Sequence, residues 1–435
     1  MRIWNKEMEC QDRDELTQVQ LERLQSTLNR AYKNVPFYRN CLGDACMDPS
    51  GVRSLDDLSS LPLTSREDMS QNYPYGLFAV PLKDIVRIHT ATGTGSNPTV
   101  SGYTNTDLGI WMEMVARSLT AAGVTAEDII QVCFDPGLAN WARDFKGGAE
   151  VVQASVIPMT PLEIPKQVMV MSDYKTSVLV TTPSYARQLV REMTRMGINP
   201  NSLSLRRALL LGESLGEGAR AGLETDLRIK IQTGYGLSEV PGPSIAYECE
   251  QRRGLHLNED HFIAEIIDPE TGDPLSPGES GELVLTTLTA RAFPLIRFRT
   301  GDRAILSTES CSCNRSFVRV NPIQGRVDQL VVIRGIKIHP QLIQGIMSRV
   351  GQGKLPAYLG FVRRLEDLDL LEIRMRLDED HFSDEIKVLE HLVHTVRREL
   401  EQSLGIPVKV RLVEPDTMQK YSSRLTQIID ERANG

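Results

Sequence analysis

Strand and helix patterns alternate along residues 106–230, and this alternation restricts the fold more than any other feature of the sequence. Short apolar runs typical of buried strands occur at 129–134, 151–158 and 207–211, and segments with helical spacing separate them. Residues 177–197 show a strand, a turn and a helix in succession. Parallel strands need a long crossover connection, usually a helix. The alternation therefore predicts a mainly parallel sheet covered by helices.

Polar residues follow several of these strands directly. They occur at 181–183, at 212–213 and at 235–239. Ligands of such sheets bind beyond the carboxyl ends of the strands. We therefore expect these three segments to meet at one ligand-binding edge.

The stretch 231–249 begins as an apolar run and breaks at Gly234. It then places Tyr235, Ser238 and Glu239 on one glycine-containing turn. An aromatic ring can stack on a base, a hydroxyl can face phosphate, and a carboxylate can bind Mg²⁺. An ordinary turn with an exposed tyrosine and glutamate explains this stretch equally well, and only the rest of the chain favours the nucleotide.

Residues 85–104 form a second informative stretch, in which a β-branched run leads into a loop rich in Thr, Gly and Ser. Backbone N–H groups of such a loop can surround an anion, but most loops of this composition bind nothing. The Gly-Lys-Ser/Thr ending of a Walker loop is missing. His89, just before the loop, is predicted to make a structural hydrogen bond.

The sequence pattern at residues 54–74 predicts short helices that pack against a larger body and carry no chemistry.

The pattern changes after residue 261. Residues 262–306 alternate apolar and polar positions between turns, which predicts a distorted antiparallel sheet or barrel that carries Asp302 after a glycine turn. The order β-α-β-β-α-β follows, and it is long enough for a domain of about 100 residues. The predicted domains are 1–327 and 328–435.

Composition excludes several classes of protein. The 435 residues carry a formal net charge of −8, which argues against a nucleic-acid-binding surface. No apolar run approaches the roughly 20 residues that span a bilayer. The charged amino-terminal segment has no signal-peptide core, so we expect a cytoplasmic protein without membrane partners. Seven scattered cysteines indicate thiols or ligands before disulfides.

The phrases NVPFYRN, LPLTSREDM, TTPSYA, GYGLSEV, GESGELVLTTLT and GRVDQLVVIRG follow one another along the chain. In this order they resemble the phenylacetate–CoA ligase branch of the adenylate-forming enzymes (acyl-CoA synthetases, adenylation domains and luciferases). The resemblance runs nearly end to end. It implies an α/β fold: a large N-terminal domain of mixed and parallel sheets covered by helices, with a distorted antiparallel β subdomain, and a small mobile α+β C-terminal domain.

The resemblance also implies an acid–thiol ligase that uses ATP, Mg²⁺ and CoA. A carboxylic acid would attack the α-phosphate of ATP and release pyrophosphate. The C-terminal domain would then swing about a hinge, and the thiol of CoA would displace AMP to give a thioester. The family further suggests a homodimer.

Roles carry over position by position on the same resemblance. Tyr235 would stack on adenine, Ser238 would face the phosphates and Glu239 would hold Mg²⁺. Asp302 would accept hydrogen bonds from the ribose hydroxyls, and Arg326 would approach ribose or phosphate. Further nucleotide positions are Gly236, Glu213 and Ser214, together with the phosphate loop of Thr92, Gly93, Thr94 and Gly95.

The remaining roles concern the hinge, CoA and the acid. Asp328 would be the hinge. Arg334, Gly335 and Lys337 would follow on a strand that faces the CoA tunnel. The acyl pocket would be bordered by Val240, Pro241 and Gly242, with Phe134 and Trp141 as walls.

Three departures from the family pattern bear on activity. Asn97 replaces the lysine of the phosphate loop, and Arg424 replaces the C-terminal catalytic lysine. Arginine keeps the charge but not the compact ammonium, so the change is not conservative at a tight site. Lys420 is the weaker candidate for that role. Residues 133–154, which line the family's acyl pocket, also differ, so we expect an acid other than phenylacetate.

Cys249, His256, Cys311 and Cys313 supply three thiolates and an imidazole, a suitable tetrahedral zinc set. Four unrelated side chains are the alternative, because Cys-x-Cys is a weaker ligand pair than Cys-x₂-Cys. The resemblance marks the same four positions as a structural zinc site. We therefore predict zinc with a structural role.

Three functions remain open at this point. The first is an ATP-dependent ligase that joins an aryl or otherwise compact carboxylic acid to CoA. The second is an adenylating enzyme with an amine or a carrier-protein thiol as acceptor. The third is an impaired member that only binds nucleotide or acyl-CoA, suggested by Asn97 and Arg424. Acid-dependent pyrophosphate release separates the third from the others, and thioester formation with free CoA separates the first from the second.

Overall fold

The computed structural model describes residues 2–44, 48–91, 97–134, 138–157, 163–240, 242–328, 330–351, 357–365, 368–376, 386–414 and 428–432. The chain forms two compact units. Unit 1 contains most of the residues up to Asp328, and unit 2 contains the residues that follow. No helix among the described residues is long and apolar enough to cross a membrane.

Unit 1 contains α1–α9 and β1–β14. The helices are α1 (Lys6–Glu9), α2 (Arg13–Asn34), α3 (Pro36–Asp44), α4 (Arg66–Gln71), α5 (Asn105–Ala121), α6 (Ala139–Val152), α7 (Ile164–Asp173), α8 (Pro183–Arg195) and α9 (Glu217–Leu227). The strands are β1 (Arg87–Ala91), β2 (Thr99–Tyr103), β3 (Ile129–Cys133), β4 (Ser155–Ile157), β5 (Val178–Thr181), β6 (Arg207–Leu210), β7 (Lys230–Tyr235), β8 (Ala246–Glu248), β9 (Leu255–Leu257), β10 (Phe262–Ile267), β11 (Gly281–Thr287), β12 (Phe298–Ala304), β13 (Leu306–Ser307) and β14 (Arg319–Val320).

The main sheet has the order β13-β14-β9-β8-β7-β6-β5-β3-β4. Its half from β4 to β7 is parallel, and its half from β7 to β13 is antiparallel. Every residue of β5 is buried, as expected for a strand covered on both faces. The predicted parallel sheet with helical cover is confirmed.

The second sheet, of order β10-β11-β12, is antiparallel, as predicted from the alternating pattern. Its register shifts between Glu282 and Val284, which distorts the pairing with β12. This irregularity bends the strand that carries Asp302.

One prediction in unit 1 is wrong in detail. The strand predicted at 151–158 is shorter, because Val151 and Val152 end α6 and only β4 is extended. A Cβ on Gly148 would lie 2.3 Å from Cγ1 of Val115, so α6 packs closely on α5 through this glycine.

Unit 2 is an α+β unit with its own hydrophobic core. Its elements are β15 (Val331–Ile333), β16 (Ile336–Ile338), α10 (Pro340–Gly351), β17 (Tyr358–Leu365), β18 (Leu368–Arg376), α11 (Ile386–Leu404), β19 (Val408–Val413) and β20 (Ile428–Asp430). The last four strands form a sheet of order β19-β18-β17-β20.

The strand predicted across residues 331–340 is a hairpin. Arg334 and Gly335 have φ angles of 51° and 80° and form the two-residue turn between β15 and β16. Arg334 and Gly335 therefore do not lie on a strand, as the sequence predicted; only Lys337 does.

Candidate active site

Three polar segments lie side by side at the carboxyl edge of the main sheet, because β5, β6 and β7 are neighbours. Glu213, just beyond β6, accepts hydrogen bonds from the backbone N–H and the hydroxyl of Ser184, at 3.0 and 2.6 Å. Its carboxylate thus stabilises the first turn of α8. Ser214 is exposed beside it.

Tyr235, Asp302 and Arg326 come together beyond β7. The Tyr235 hydroxyl donates to Oδ2 of Asp302 at 2.6 Å, and Nη1 of Arg326 donates to Oδ1 of the same carboxylate. Arg326 also donates from Nε and Nη2 to the two oxygens of Asp328, at 2.7 Å each. Three predicted nucleotide residues and the predicted hinge residue therefore form one hydrogen-bonded group.

Burial and the neighbouring Asp302 raise the pKa of Tyr235 well above its usual value, so the phenol stays protonated and donates. Burial lowers the pKa of Arg326, but hydrogen bonding to Asp328 and the charge of Asp302 outweigh it and keep that pKa above the usual range. The group therefore holds one fixed cation between two carboxylates.

Gly301 makes the close approach of Asp328 possible. Its φ is 74°, and a Cβ there would lie 2.3 Å from Oδ2 of Asp328. Only glycine meets both conditions without strain. The glycine turn before Asp302, noted in the sequence, therefore brings the two carboxylates onto Arg326.

Glu239 is buried and paired with an arginine that the sequence did not single out. Nε of Arg66 donates to Oε1 of Glu239 at 2.9 Å, and its Nη1 lies 3.6 Å from Oδ2 of Asp328. The guanidinium also lies 5.3 Å from the centre of the Phe298 ring. Arg66 therefore links the predicted Mg²⁺ ligand to the predicted hinge residue, and the prediction that residues 54–74 carry no chemistry missed it.

A capping box positions Arg66. Ser65 caps the amino end of α4, and its hydroxyl and the Asp68 carboxylate bond reciprocally to the backbone. This signal is visible in the sequence as Ser-Arg-Glu-Asp. It could have placed Arg66 on the first turn of a helix, but it could not have named Glu239 as the partner.

The turn that carries Gly236 and Ser238 is tightly packed. A Cβ on Gly236 would lie 2.6 Å from Cα of Pro243, so the turn folds back on itself here. Ser238 is half-buried and Val240 is fully buried.

The predicted walls of the acyl pocket form an aromatic group in unit 1. The rings of Phe134 and Trp141 lie 6.4 Å apart and nearly perpendicular, and Phe134 also contacts Phe145 at 6.1 Å. Beside them, a Cβ on Gly212 would lie 3.2 Å from Cδ1 of Leu138. Aromatic side chains therefore line the region that follows β3 and β6.

A second aromatic group was not among the predicted site residues. The His89 ring lies 5.0 Å from Tyr103 and 5.6 Å from Trp111, and the latter two rings are also 5.0 Å apart. Burial, together with the charges of Arg87 and Arg143, lowers the pKa of His89 to about 4, so the imidazole is neutral. A Cβ on Gly242, whose φ is 106°, would lie 2.7 Å from Nε1 of Trp111. This group therefore adjoins the predicted acyl border.

The four predicted zinc ligands come together away from the nucleotide residues. Cys249, His256, Cys311 and Cys313 are buried, and their ligand atoms lie within 4.8 Å of one another. The Sγ atoms of Cys249 and Cys311 are 3.8 Å apart, and Sγ of Cys313 is 3.3 Å from Nε2 of His256. Zn–S bonds of about 2.3 Å in a tetrahedron require a sulfur–sulfur separation of about 3.8 Å. The donor set and its spacing fit zinc.

The predicted CoA residues lie in unit 2. Nε of Arg334 donates to the backbone oxygen of Asp369 at 3.3 Å, and Lys337 lies half-buried on β16. Several predicted positions lie outside the described residues: Thr92, Gly93, Thr94, Gly95, Pro241, Lys420 and Arg424.

Comparisons with known proteins agree along the chain. A family model described as "AMP-binding enzyme" matches residues 145–289, and one described as "AMP-binding enzyme C-terminal domain" matches residues 335–432. The phenylacetate-coenzyme A ligase of Thermus thermophilus is 38% identical over 444 residues, which covers 99% of this chain and 100% of the relative. The corresponding ligase of Escherichia coli is 36% identical over 421 residues, which covers 96% and 95% of the two chains.

A solved structure also matches nearly the whole chain. It is that of 2-hydroxyisobutyryl-CoA ligase in complex with 2-HIB-AMP and CoA in the thioesterification state. It has a TM-score of 0.90 and 25% sequence identity, and the match covers 98% of this chain and 92% of that one.

Proposed function

This chain belongs to the phenylacetate-CoA ligase family of adenylate-forming enzymes, and from this membership we propose that it activates a carboxylic acid with ATP and transfers the acyl group to CoA. Identity of 36–38% over nearly the full length of the ligases carries this conclusion. The convergence of Tyr235, Asp302 and Arg326 in one buried group supports it.

Asp302 is suited to bind the ribose of ATP. An ionised carboxylate offers about four lone-pair positions, and Tyr235 and Arg326 use two of them. Two positions therefore remain for the two ribose hydroxyls. Arg326 would keep the carboxylate oriented while the nucleotide binds, and the Tyr235 ring would lie against the base.

Glu239 and Ser238 would serve the phosphates. Glu239 would hold Mg²⁺, which neutralises phosphate charge as pyrophosphate leaves. Arg66 holds the Glu239 carboxylate in place from one side, through Oε1. We also propose that Arg424 supplies the cation that the family's lysine brings to the α-phosphate, with Asn97 in the phosphate loop adding no charge.

The acid is proposed to be compact and aromatic. Phe134 and Trp141, with Phe145 behind them, offer ring faces and edges suited to an aryl group. Several relatives are named as phenylacetate ligases, and the matched structure holds a hydroxyisobutyryl adenylate. The differences from the family at residues 133–154 favour an aryl acid other than phenylacetate.

One assay series tests the function. Purified protein is incubated with ATP, Mg²⁺ and a panel of aryl and short aliphatic acids, and pyrophosphate is measured with and without CoA. We expect acid-dependent pyrophosphate release and an acyl-CoA product detected by mass spectrometry. Acid-dependent pyrophosphate release without an acyl-CoA product would favour an amine or a carrier-protein thiol as the acceptor. Absence of any acid-dependent release would contradict the proposal.

Arg424 variants test the catalytic cation. Arg424→Ala should abolish most pyrophosphate release, because the proposal assigns to Arg424 the cation that bridges the substrate carboxylate and the α-phosphate. Arg424→Lys should restore it in part or improve it, because a point ammonium fits the family's geometry. Full activity of Arg424→Ala would show that another residue, such as Lys420, performs the step.

We propose a zinc ion at Cys249, His256, Cys311 and Cys313, supported by the buried donor set and its tetrahedral spacing. The site would join the loop between β8 and β9 to residues 311–313 and supply no chemistry to the reaction. Metal analysis should find one zinc per chain in the wild type and much less in Cys313→Ser.

We also propose a cytoplasmic enzyme, because ATP and CoA are supplied in the cytoplasm. The predicted homodimer is measurable by sedimentation.

A further inference from the structure

Three buried polar atoms of unit 1 have no hydrogen-bond partner among the described residues. They are Nε2 of His89, Nε1 of Trp111 and Oδ2 of Asp144. Their side chains belong to residues that are 8%, 3% and 4% exposed. Buried polar atoms are nearly always paired, and each one left unpaired is costly. Three of them in one region indicate that a bound molecule completes their hydrogen bonds.

The three side chains occupy one region of unit 1. The His89 and Trp111 rings are in contact at 5.6 Å. Arg87 lies two residues before His89 on β1, so both side chains are on the same face of the strand. Nη1 of Arg87 donates to Oδ1 of Asp144 at 2.6 Å, which places Asp144 beside that face.

Two of the three side chains adjoin segments with predicted roles. β1 ends at Ala91, immediately before the predicted phosphate loop. Trp111 lies directly against Gly242, three residues after Glu239. Trp111 therefore lies at the predicted border of the acyl pocket, with the His89 ring in contact with it and Asp144 joined to the same strand through Arg87.

The chemistry of the three atoms selects one functional group. The indole N–H of Trp111 only donates, so it needs an acceptor. At pH 8, above the raised pKa of about 7, the Asp144 carboxylate is ionised and only accepts, so it needs a donor. Nε2 of the neutral His89 can do either, depending on the tautomer. A hydroxyl group donates and accepts at once. A ketone or ether oxygen can accept from Trp111 but cannot donate to Asp144, and an ammonium group can donate to Asp144 but cannot accept from Trp111.

We propose that the acid substrate carries a hydroxyl group besides its carboxylate, and that Trp111, Asp144 and His89 select it. This inference rests on the proposed function and names the substrate class of the same site. Sites built to bond a substrate hydroxyl reject the analogue that lacks it by large factors, because their own polar atoms then stay unpaired. We expect a discrimination of about 100-fold or more.

The test compares kcat/KM for ATP-dependent pyrophosphate release at pH 8. The acids are phenylacetate, its three ring-hydroxylated forms and 2-hydroxy-2-phenylacetate, which together locate the hydroxyl. At least one hydroxylated acid should exceed phenylacetate by about 100-fold. If phenylacetate equals or exceeds all of them, the inference is overturned while the proposed function stands. If no acid of any class releases pyrophosphate, both are overturned.

Variants then assign the selection to these residues. Trp111→Phe keeps an aromatic ring and removes the N–H, so the ratio of kcat/KM between the best hydroxylated acid and phenylacetate should fall at least about tenfold. Trp4→Phe, the same change at an exposed tryptophan, should leave the ratio and both rates unchanged. An equal loss on both acids in Trp111→Phe would show a purely structural role and overturn the inference.

Asp144→Asn tests the same inference independently, in case Trp111→Phe does not fold. It keeps the shape of the side chain and removes its charge, so the same ratio should fall. A ratio that stays at the wild-type value in both Trp111→Phe and Asp144→Asn would overturn the inference.

Discussion

At the scale of single residues, buried charges dominate the candidate site. Arg66 and Glu239 are each more than 90% buried and bonded to each other at 2.9 Å. Taking two charges out of water is costly, and removing one partner leaves the other without compensation. The pair therefore makes the site sensitive to truncation, whatever its net contribution to stability.

Arg66→Ala should lower the free energy of unfolding by about 3 kcal/mol, because Glu239 stays buried with one partner lost. It should also raise the KM for ATP, because Glu239 loses its orientation. Urea unfolding and steady-state kinetics measure the two effects. Arg195→Ala, which removes an exposed Arg–Glu pair, is the control and should change neither. A neutral result for Arg66→Ala would show that the pair does not position Glu239.

The raised pKa of Asp144 predicts that the free energy of unfolding depends on pH. Burial raises its pKa to about 7, although Arg87 opposes the rise. A carboxyl whose pKa is higher in the folded protein contributes stability at low pH that is lost as the pH rises from about 4 to about 7. The wild type should therefore lose stability relative to Asp144→Asn over this range. If the unfolding free energies of the wild type and of Asp144→Asn changed equally with pH over this range, the raised pKa would be refuted.

At the scale of elements, the glycine before Asp302 decides how β12 presents its carboxylate. Gly301→Ala combines a φ of 74° with a clash against Asp328. It should cost about 2 kcal/mol or more and weaken ATP binding, because Arg326 loses its fixed position. Thermal unfolding and ATP titration measure these effects.

Gly218→Ala is the matched control, because Gly218 lies in α9 with open space around it. This change should be neutral or stabilising by up to about 1 kcal/mol. Equal effects of the two substitutions would show that Gly301 has no special conformational role.

At the scale of the whole molecule, each unit has its own buried core. Leu28 belongs to the core of unit 1, and Leu400 belongs to that of unit 2; both are fully buried. Separate cores of this kind can unfold in separate steps, so a single unfolding free energy need not describe the chain.

Leu400→Ala should therefore shift one calorimetric transition to lower temperature, by a loss of about 2–5 kcal/mol in that unit. Leu28→Ala should shift the other transition. A single transition that moves equally in both variants would show that the two cores unfold as one.

Local sequence patterns predicted much of the fold and part of the site. Apolar spacing located the strands of the parallel sheet, and the glycine-containing turn placed Tyr235 and Glu239 at and beyond the end of β7. Asp302 follows Gly301 as predicted, but both lie inside β12. Local spacing gave the wrong secondary structure where tertiary packing determines it. Val151 and Val152 were predicted in a strand but continue α6, because Gly148 lets the helix approach α5. The hairpin turn at Arg334 and Gly335 was missed because one apolar run covered both of its strands.

By itself the sequence determined the order of elements, the family resemblance and the residue types beyond each strand, because these depend on neighbours along the chain. Only the tertiary structure decided which distant side chains meet. Arg66 bonds Glu239 across 173 residues, and Tyr235 bonds Asp302 across 67. The unpaired atoms of His89, Trp111 and Asp144 are likewise visible only in three dimensions, because burial and the absence of a partner depend on packing between β1, α5 and α6.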